Sequence, residues 1–180
     1  MRSFSLLAAL CFFLLAASAC TDNEVSTGPE AEPDRQALEQ TMREANDQIF
    51  GMWTETEMNE LDALLAPNFQ RYSNGELVGG VSEMKSLMEY FRVAFPDVAY
   101  DHEIQVIDDH RVFTSWSARG THEGNFGDVP PTGKSIETHG MTVLTFDDDG
   151  KIVEDRSYFN EAAILNDLGY TITPPSTESK

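Results

Sequence analysis

The sequence predicts a single α+β domain, an antiparallel sheet with helices on one face. Two observations carry this. Apolar residues recur every third or fourth position through the first half, then every second position from Val98 onward. The later segments are joined by turn-rich stretches, so successive strands are expected to run antiparallel.

Taken in order, Asp34 has the side chain of a helix N-cap, and Leu38, Met42, Ala45, Ile49 and Met52 form an amphipathic stripe after it. Leu61, Leu64 and Leu65 continue a short second helical piece, which Pro67 is expected to end. Residues 69–72 read as a short strand closed by the turn Ser73-Asn74-Gly75. Met84, Leu87, Met88, Phe91 and Phe95 mark another helix, stopped by Pro96-Asp97. Val98, Tyr100, His102, Ile104 and Val106 then share one strand face, with Asp101, Glu103 and Gln105 on the other. Three further strands follow over residues 112–122, 136–146 and 152–160. Residues 124–133 form a long glycine- and proline-rich hairpin connection, and Asp147-Asp148-Asp149-Gly150 a tight turn. Ala162, Ala163, Leu165 and Leu168 suggest a closing helix that Gly169 ends. No internal repeat is visible.

The N-terminal residues point to export. Arg2 is the only charge before Asp22, residues 4–15 are almost wholly apolar, and Ala16, Ala17, Ser18 and Ala19 precede Cys20. This is the pattern of a secretory signal over residues 1–19, too short to span a bilayer stably. Ala17-Ser18-Ala19 fits ordinary signal cleavage. The run Ala-Ser-Ala-Cys also resembles the bacterial lipobox, with Ala17 where that pattern prefers leucine. Cys11 would leave with the signal, and Cys20 would have no partner for a disulfide, which favours lipidation over a soluble periplasmic form. Residues 20–33 read as a disordered acidic tether, 34–173 as the domain and 174–180 as a flexible tail. The expected location is the cell envelope, lipid-anchored to a bacterial membrane and facing the periplasm. The formal charge is −19, and −20 once Arg2 is removed, which argues against binding nucleic acid or an anionic membrane surface. Membrane contact is therefore expected through the N-terminal lipid alone.

The last third carries a more specific signal: G-T-H-E-G-N-F-G-D-V-P-P-T-G-K over residues 120–134 and D-G-K-I-V-E over 149–154. With the F-P-D of Phe95 to Asp97 and the closing Leu168-Gly169, these segments resemble the SnoaL-like polyketide cyclases (ester cyclases). That family has the nuclear-transport-factor-2-like cone, with N-terminal helices on the concave side of a curved antiparallel sheet. The resemblance spans roughly residues 37–170. It implies an apolar pocket between sheet and helices, holding a flat polyketide ester. It also implies an acid/base carboxylate late in the last strand that promotes an aldol ring closure without cofactor or metal.

The family places that aspartate in a pattern like E-x-W-x-Y-x-D, which would put Asn160 at its position here. An amide has no proton to exchange near neutral pH and cannot serve as a general base. Asn160 is then expected to orient a ligand or an enolate oxygen. Glu154, Arg156, Tyr158 and Asn160 alternate onto one face, and Glu154 and Arg156 read either as an ion pair at the pocket rim or as contacts to a carboxylate-bearing ligand. His102 and His122 are candidate replacement bases if they look into the pocket, the alternative being hydrogen-bonded lining histidines. Trp116, Tyr158 and Phe91 are candidate apolar walls. His110 sits in a turn, and His139 has Glu137 as its neighbour. No metal-binding spacing is present, and the Asp147–Gly150 turn lacks the alternating ligands of a calcium loop.

Two functions are compatible with these residues. One is an enzyme abstracting a proton α to a carbonyl of a small hydrophobic compound, leading to cyclisation, isomerisation or hydrolysis. His102 or His122 would be the base, with Tyr158 and Asn160 as oxyanion donors. The other is a non-catalytic envelope lipoprotein that binds a small apolar ligand or dimerises through its sheet.

Overall fold

The computed structural model describes residues 31–55, 58, 60–171 and 173. The signal segment, Cys20 and the tail from residue 174 lie outside the described residues. Helix α1 (Ala31–Gly51) begins three residues before Asp34, so the end of the expected tether is helical. Pro33 falls in the first turn, where a backbone N–H would have no intrahelical partner to lose. Met42, Ala45 and Ile49 are buried along one stripe, as the spacing predicts.

The short α2 (Leu61–Leu64) runs directly into β1 (Leu65–Ser73), so Pro67 lies inside a strand instead of ending a helix. It is tolerated because Leu65 and Gln70 are the flanking paired residues, and the stretch between them is out of register with the neighbouring strand. A two-residue turn leads into β2 (Glu76–Gly79), with Asn74 and Gly75 both at positive φ, 50° and 90°. That geometry matches the twist of an antiparallel hairpin. Helix α3 (Val81–Ala94) starts with the Glu83 carboxylate accepting the Gly80 N–H at 2.9 Å, and it buries Met84 and Met88 completely.

Strands β3 (Ala99–Asp108), β4 (Arg111–Thr121), β5 (Ser135–Phe146) and β6 (Ile152–Phe159) form the predicted antiparallel run, and α4 (Glu161–Asp167) closes the domain. The sheet as a whole is curved and mixed, in the order β2-β1-β6-β5-β4-β3, and β1 runs parallel to β6. The expected all-antiparallel sheet is corrected here: β1 inserts beside the last strand, and its register sets Arg71 opposite Asp155.

Two irregularities alter which side chains face inward. In β3 the register shifts between Ile104 and Val106, so Val106 turns to solvent at 52% exposure and Ile107 takes the inner position. Between β5 and β6 the register shifts where Phe146 pairs with Ile152 and Thr145 with Glu154, leaving Val153 as the extra residue. Ile152 and Asp155, three apart, are therefore both buried.

The helices cover one face of the sheet. Asn46 of α1 accepts the Thr114 hydroxyl of β4 at 2.7 Å, and both side chains are fully buried. At the opposite end the glycine-rich connection folds over the C-terminus of α3. Glu123 and Gly124 donate their N–H groups to the Ala94 carbonyl at 3.0 and 3.1 Å, capping an orphan helix end. The Asp97 carboxylate accepts the Thr121 N–H and hydroxyl at 2.6 and 2.7 Å, bonds that hold its pKa below the ordinary carboxylate value. The F-P-D and G-T-H segments are thus two halves of one joint. A Cβ on Gly124 would overlap the Val93 carbonyl oxygen. Gly124→Ala should cost about 1–3 kcal/mol of stability, the range for forced overpacking. Urea denaturation would measure it, and an unchanged midpoint would show that the connection does not need this close approach.

Candidate active site

Between the two buried clusters of the core lies a cavity of about 450 Å³, large enough for a drug-sized molecule. Its walls are aromatic: Trp53 from the turn after α1, Phe91 from α3, Tyr100 from β3, Trp116 from β4, Phe126 from the connection and Phe159 from β6. Trp116 stands 5.9 Å from Tyr100 and 6.0 Å from Phe159, ring centre to ring centre, forming one continuous wall. Its indole lies across Gly140 on the neighbouring strand, where any Cβ would overlap the ring. The exposed rim carries Tyr90, Asp128 and Glu161.

A cluster of hydrogen-bonded polar residues interrupts this apolar lining. Arg71 and Asp155, 5% and 3% exposed, form a buried ion pair through Nη1 and Oδ2. Ser157 donates its hydroxyl to Asp155 Oδ1 at 2.8 Å, Thr142 stands 2.8 Å from Ser157, and Trp116 Nε1 donates to Thr142 at 3.0 Å. Burial pushes the Asp155 carboxyl above its ordinary value, while the Arg71 charge and the Ser157 bond pull it back. The Arg71 guanidinium also lies over the Trp53 ring at 5.1 Å. Only one of its five N–H donors reaches Asp155, and Nε has no partner among the described residues. Tyr100 also lines the cavity; burial pushes its phenol up to about 12, with Arg71 opposing, so the hydroxyl stays a proton donor.

Of the residues singled out from the sequence, Trp116 and Phe91 line this cavity. Glu154, Arg156, Tyr158 and Asn160 do share a face, but it is the outer one. The extra residue at Val153 reverses the alternation, and Asp155, Ser157 and Phe159 face inward in their place. Glu154 and Arg156 pair at 2.6 and 2.8 Å, with the guanidinium stacked over Tyr72 at 4.0 Å. Tyr158 is 46% exposed. Asn160 caps α4 by accepting the Ala163 N–H at 3.1 Å. His102 is on the inner face, but α1 covers it: the ring stacks on Phe50 at 4.6 Å and Nε2 meets Asp47 at 3.0 Å. His122 is fully buried behind Phe95 and Phe126, and its Nδ1 accepts the Thr132 N–H at 3.2 Å. None of the four histidines lines the cavity.

The comparisons with known proteins agree with this architecture. A family model described as SnoaL-like polyketide cyclase matches residues 33–168. The chain belongs to that family.

Among solved structures, a SnoaL-like protein of Jannaschia sp. CCS1, assigned as a polyketide cyclase, superposes with a TM-score of 0.67 at 18% identity over 74% of this chain and 94% of that one. IdmH of Streptomyces antibioticus, also assigned as a polyketide cyclase, gives 0.63 at 22% identity over 72% and 99%. AclR of Streptomyces galilaeus, assigned as a hydroxylase, gives 0.60 at 28% identity over 79% and 86%. No curated protein matches the sequence.

Sequence reasoning missed Arg71, Asp155, Ser157 and Thr142 in this SnoaL-like domain. The available signal was polar residues interrupting inward alternations, Phe69-x-Arg71-x-Ser73 and Asp155-x-Ser157-x-Phe159. The raised Asp155 value makes a prediction of definite sign. Unfolded, this group titrates near about 3.9; folded, it binds its proton more tightly. Its contribution to stability is therefore greatest below the unfolded value and falls as pH rises through the folded one. Wild type should lose stability with rising pH relative to the double variant R71M/D155N, which removes both charges together. Urea titrations across that window would show the trend, and a difference that is flat or grows with pH would contradict it.

Proposed function

We propose that the protein removes a proton α to a carbonyl of a small, largely apolar compound, initiating an aldol-type ring closure or an isomerisation. The observation that carries this reading is the carboxylate of Asp155, which among the described acidic residues lining the aromatic cavity is the buried one. Asp155 would accept the α-proton, the C–H electron pair passing to the carbonyl oxygen to give an enolate. Arg71 and the Tyr100 hydroxyl supply the charge and the hydrogen bond for that oxygen in a site of low dielectric. The enolate carbon attacks a second carbonyl of the same molecule, and the new alkoxide takes its proton from Asp155. Protons balance, and the base is restored. Membership of the SnoaL-like polyketide cyclase family supports this reading.

Incubating the protein in D₂O with a panel of aromatic β-keto esters, followed by NMR, would test the step directly. Wild type should exchange the α-proton faster than buffer. Asp155→Asn should lower that excess at least about 100-fold, the usual contribution of a positioned base. His102→Ala, His122→Ala and Asn160→Ala should leave it largely intact. Exchange that survives Asp155→Asn but fails in either histidine variant would overturn the assignment.

We also propose export and lipidation at Cys20, which rest on the signal-like residues 1–19 and on the single thiol left after cleavage. Mass spectrometry of the mature N-terminus should show a lipid-modified Cys20; an unmodified thiol would refute the anchor.

A further inference from the structure

The polar groups behind Asp155 have a fixed direction that follows from their chemistry. An indole N–H can only donate, so the Thr142 oxygen accepts from Trp116 at 3.0 Å. An ionised carboxylate can only accept, so Ser157 spends its single proton on Asp155 Oδ1 at 2.8 Å. The 2.8 Å contact between Thr142 and Ser157 must then be donated by Thr142. Three donors point the same way in series, and hydrogen bonds in series polarise one another.

Resting on the reading of Asp155 as the base, we propose that Trp116, Thr142 and Ser157 form a one-way hydrogen-bond relay that holds Asp155 as a carboxylate in the empty cavity. Turning the series round has a cost. Protonating Asp155 on Oδ1 would send the Ser157 proton back to Thr142, whose oxygen already accepts from Trp116. The Thr142 proton would then need an acceptor, and Thr142 has no other hydrogen-bond partner among the described residues. The relay thus favours the charged, proton-accepting form, and during turnover it favours return of the proton to the product. Thr142 and Ser157 are positioning residues in this scheme. Trp116 is both its first donor and part of the wall on which a flat ligand would lie.

The other charged and titratable groups around Asp155 are few. Arg71 on β1 pairs with its second oxygen, Glu154 adjoins it on β6, and Tyr100 faces the pair across the cavity. Tyr90, Asp128 and Glu161 from α3, the connection and α4 stand at the rim. None of these donates to Oδ1, so the relay can be varied independently of them.

Infrared spectroscopy of protein labelled with ¹³C at the aspartate carboxyl, titrated without any substrate, reads the protonation of Asp155 itself. Its band is assigned by loss in Asp155→Asn, or in the R71M/D155N double variant should the single one fail to fold. Ser157→Ala should move the titration midpoint upward by about one pH unit, the worth of one hydrogen bond to a charged acceptor. Thr142→Val should move it upward by less, Trp116→Phe by less again, and Thr142→Ser should leave it near wild type. A midpoint unmoved in folded Ser157→Ala and Thr142→Val protein, as judged by circular dichroism, would overturn the relay. Because no turnover is read, this outcome is separate from failure of the α-proton exchange.

Discussion

Placing an arginine and an aspartate inside an aromatic cavity is the costliest thing this fold does. Each ion withdrawn from water carries a penalty of several kcal/mol, which only close pairing and further hydrogen bonds offset. Arg71 and Asp155 each find their charge partner 84 positions away in the chain. The parallel pairing of β1 with β6 sets them opposite one another, and that pairing exists because β1 enters the sheet beside the last strand. Trp53, in the turn after α1, covers the guanidinium, and Ser157 of β6 completes the carboxylate. The turn after α1, the first strand and the last strand thus meet at the same pair. Removing either partner alone would strand a buried charge.

The cavity persists because its large side chains are held against the walls. Trp116 would fill much of the space if it swung inward. It lies instead across β5, where Gly140 leaves the backbone bare and Thr142 accepts the indole N–H. Phe126 and Val129, joined by an isolated bridge, lean on Phe91 and Phe95 from the connection above. That connection is anchored to the end of α3 by the Ala94 carbonyl and by the Asp97–Thr121 bonds. The most recognisable motif in the sequence thus supplies Phe126 and Val129 to the cavity wall, while the buried ion pair comes from β1 and β6.

This division explains what could be read in advance. The α+β class, the helical stripe of Met42, Ala45 and Ile49, the four late strands and the glycine-rich hairpin all follow from local periodicity and turn residues. The inward set of β6 does not. Alternation read along the strand needs an unbroken register, and one extra residue at Val153 exchanges the two faces. Asn160, placed by the family pattern, and the residues that alternate with it lie on the outer face, and Asp155 lies on the inner one. The same effect turned Val106 outward in β3. Arg71 was hidden differently: nothing local announces that a strand after a helix will lie parallel to one near the end of the chain. The burial of His102 by α1 is likewise a matter of helix placement, which strand parity cannot express.

The electrostatics of the site differ from those of the whole protein. A chain of formal charge −19 presents an acidic exterior, and Asp128 and Glu161 continue it at the rim. Inside, one cation faces one anion, so the cavity adds no net charge of its own. An anionic guest would meet repulsion on approach and a guanidinium already paired on arrival, whereas a neutral carbonyl compound meets neither obstacle. In the proposed reaction charge would appear only when a proton moves, Asp155 becoming neutral as negative charge develops on the carbonyl oxygen. Arg71 already pairs with Asp155, and in that step it would exchange one anionic partner for another. A buried ion pair that is a burden to the resting fold is, for that step, a solvent already organised for the charge it must receive.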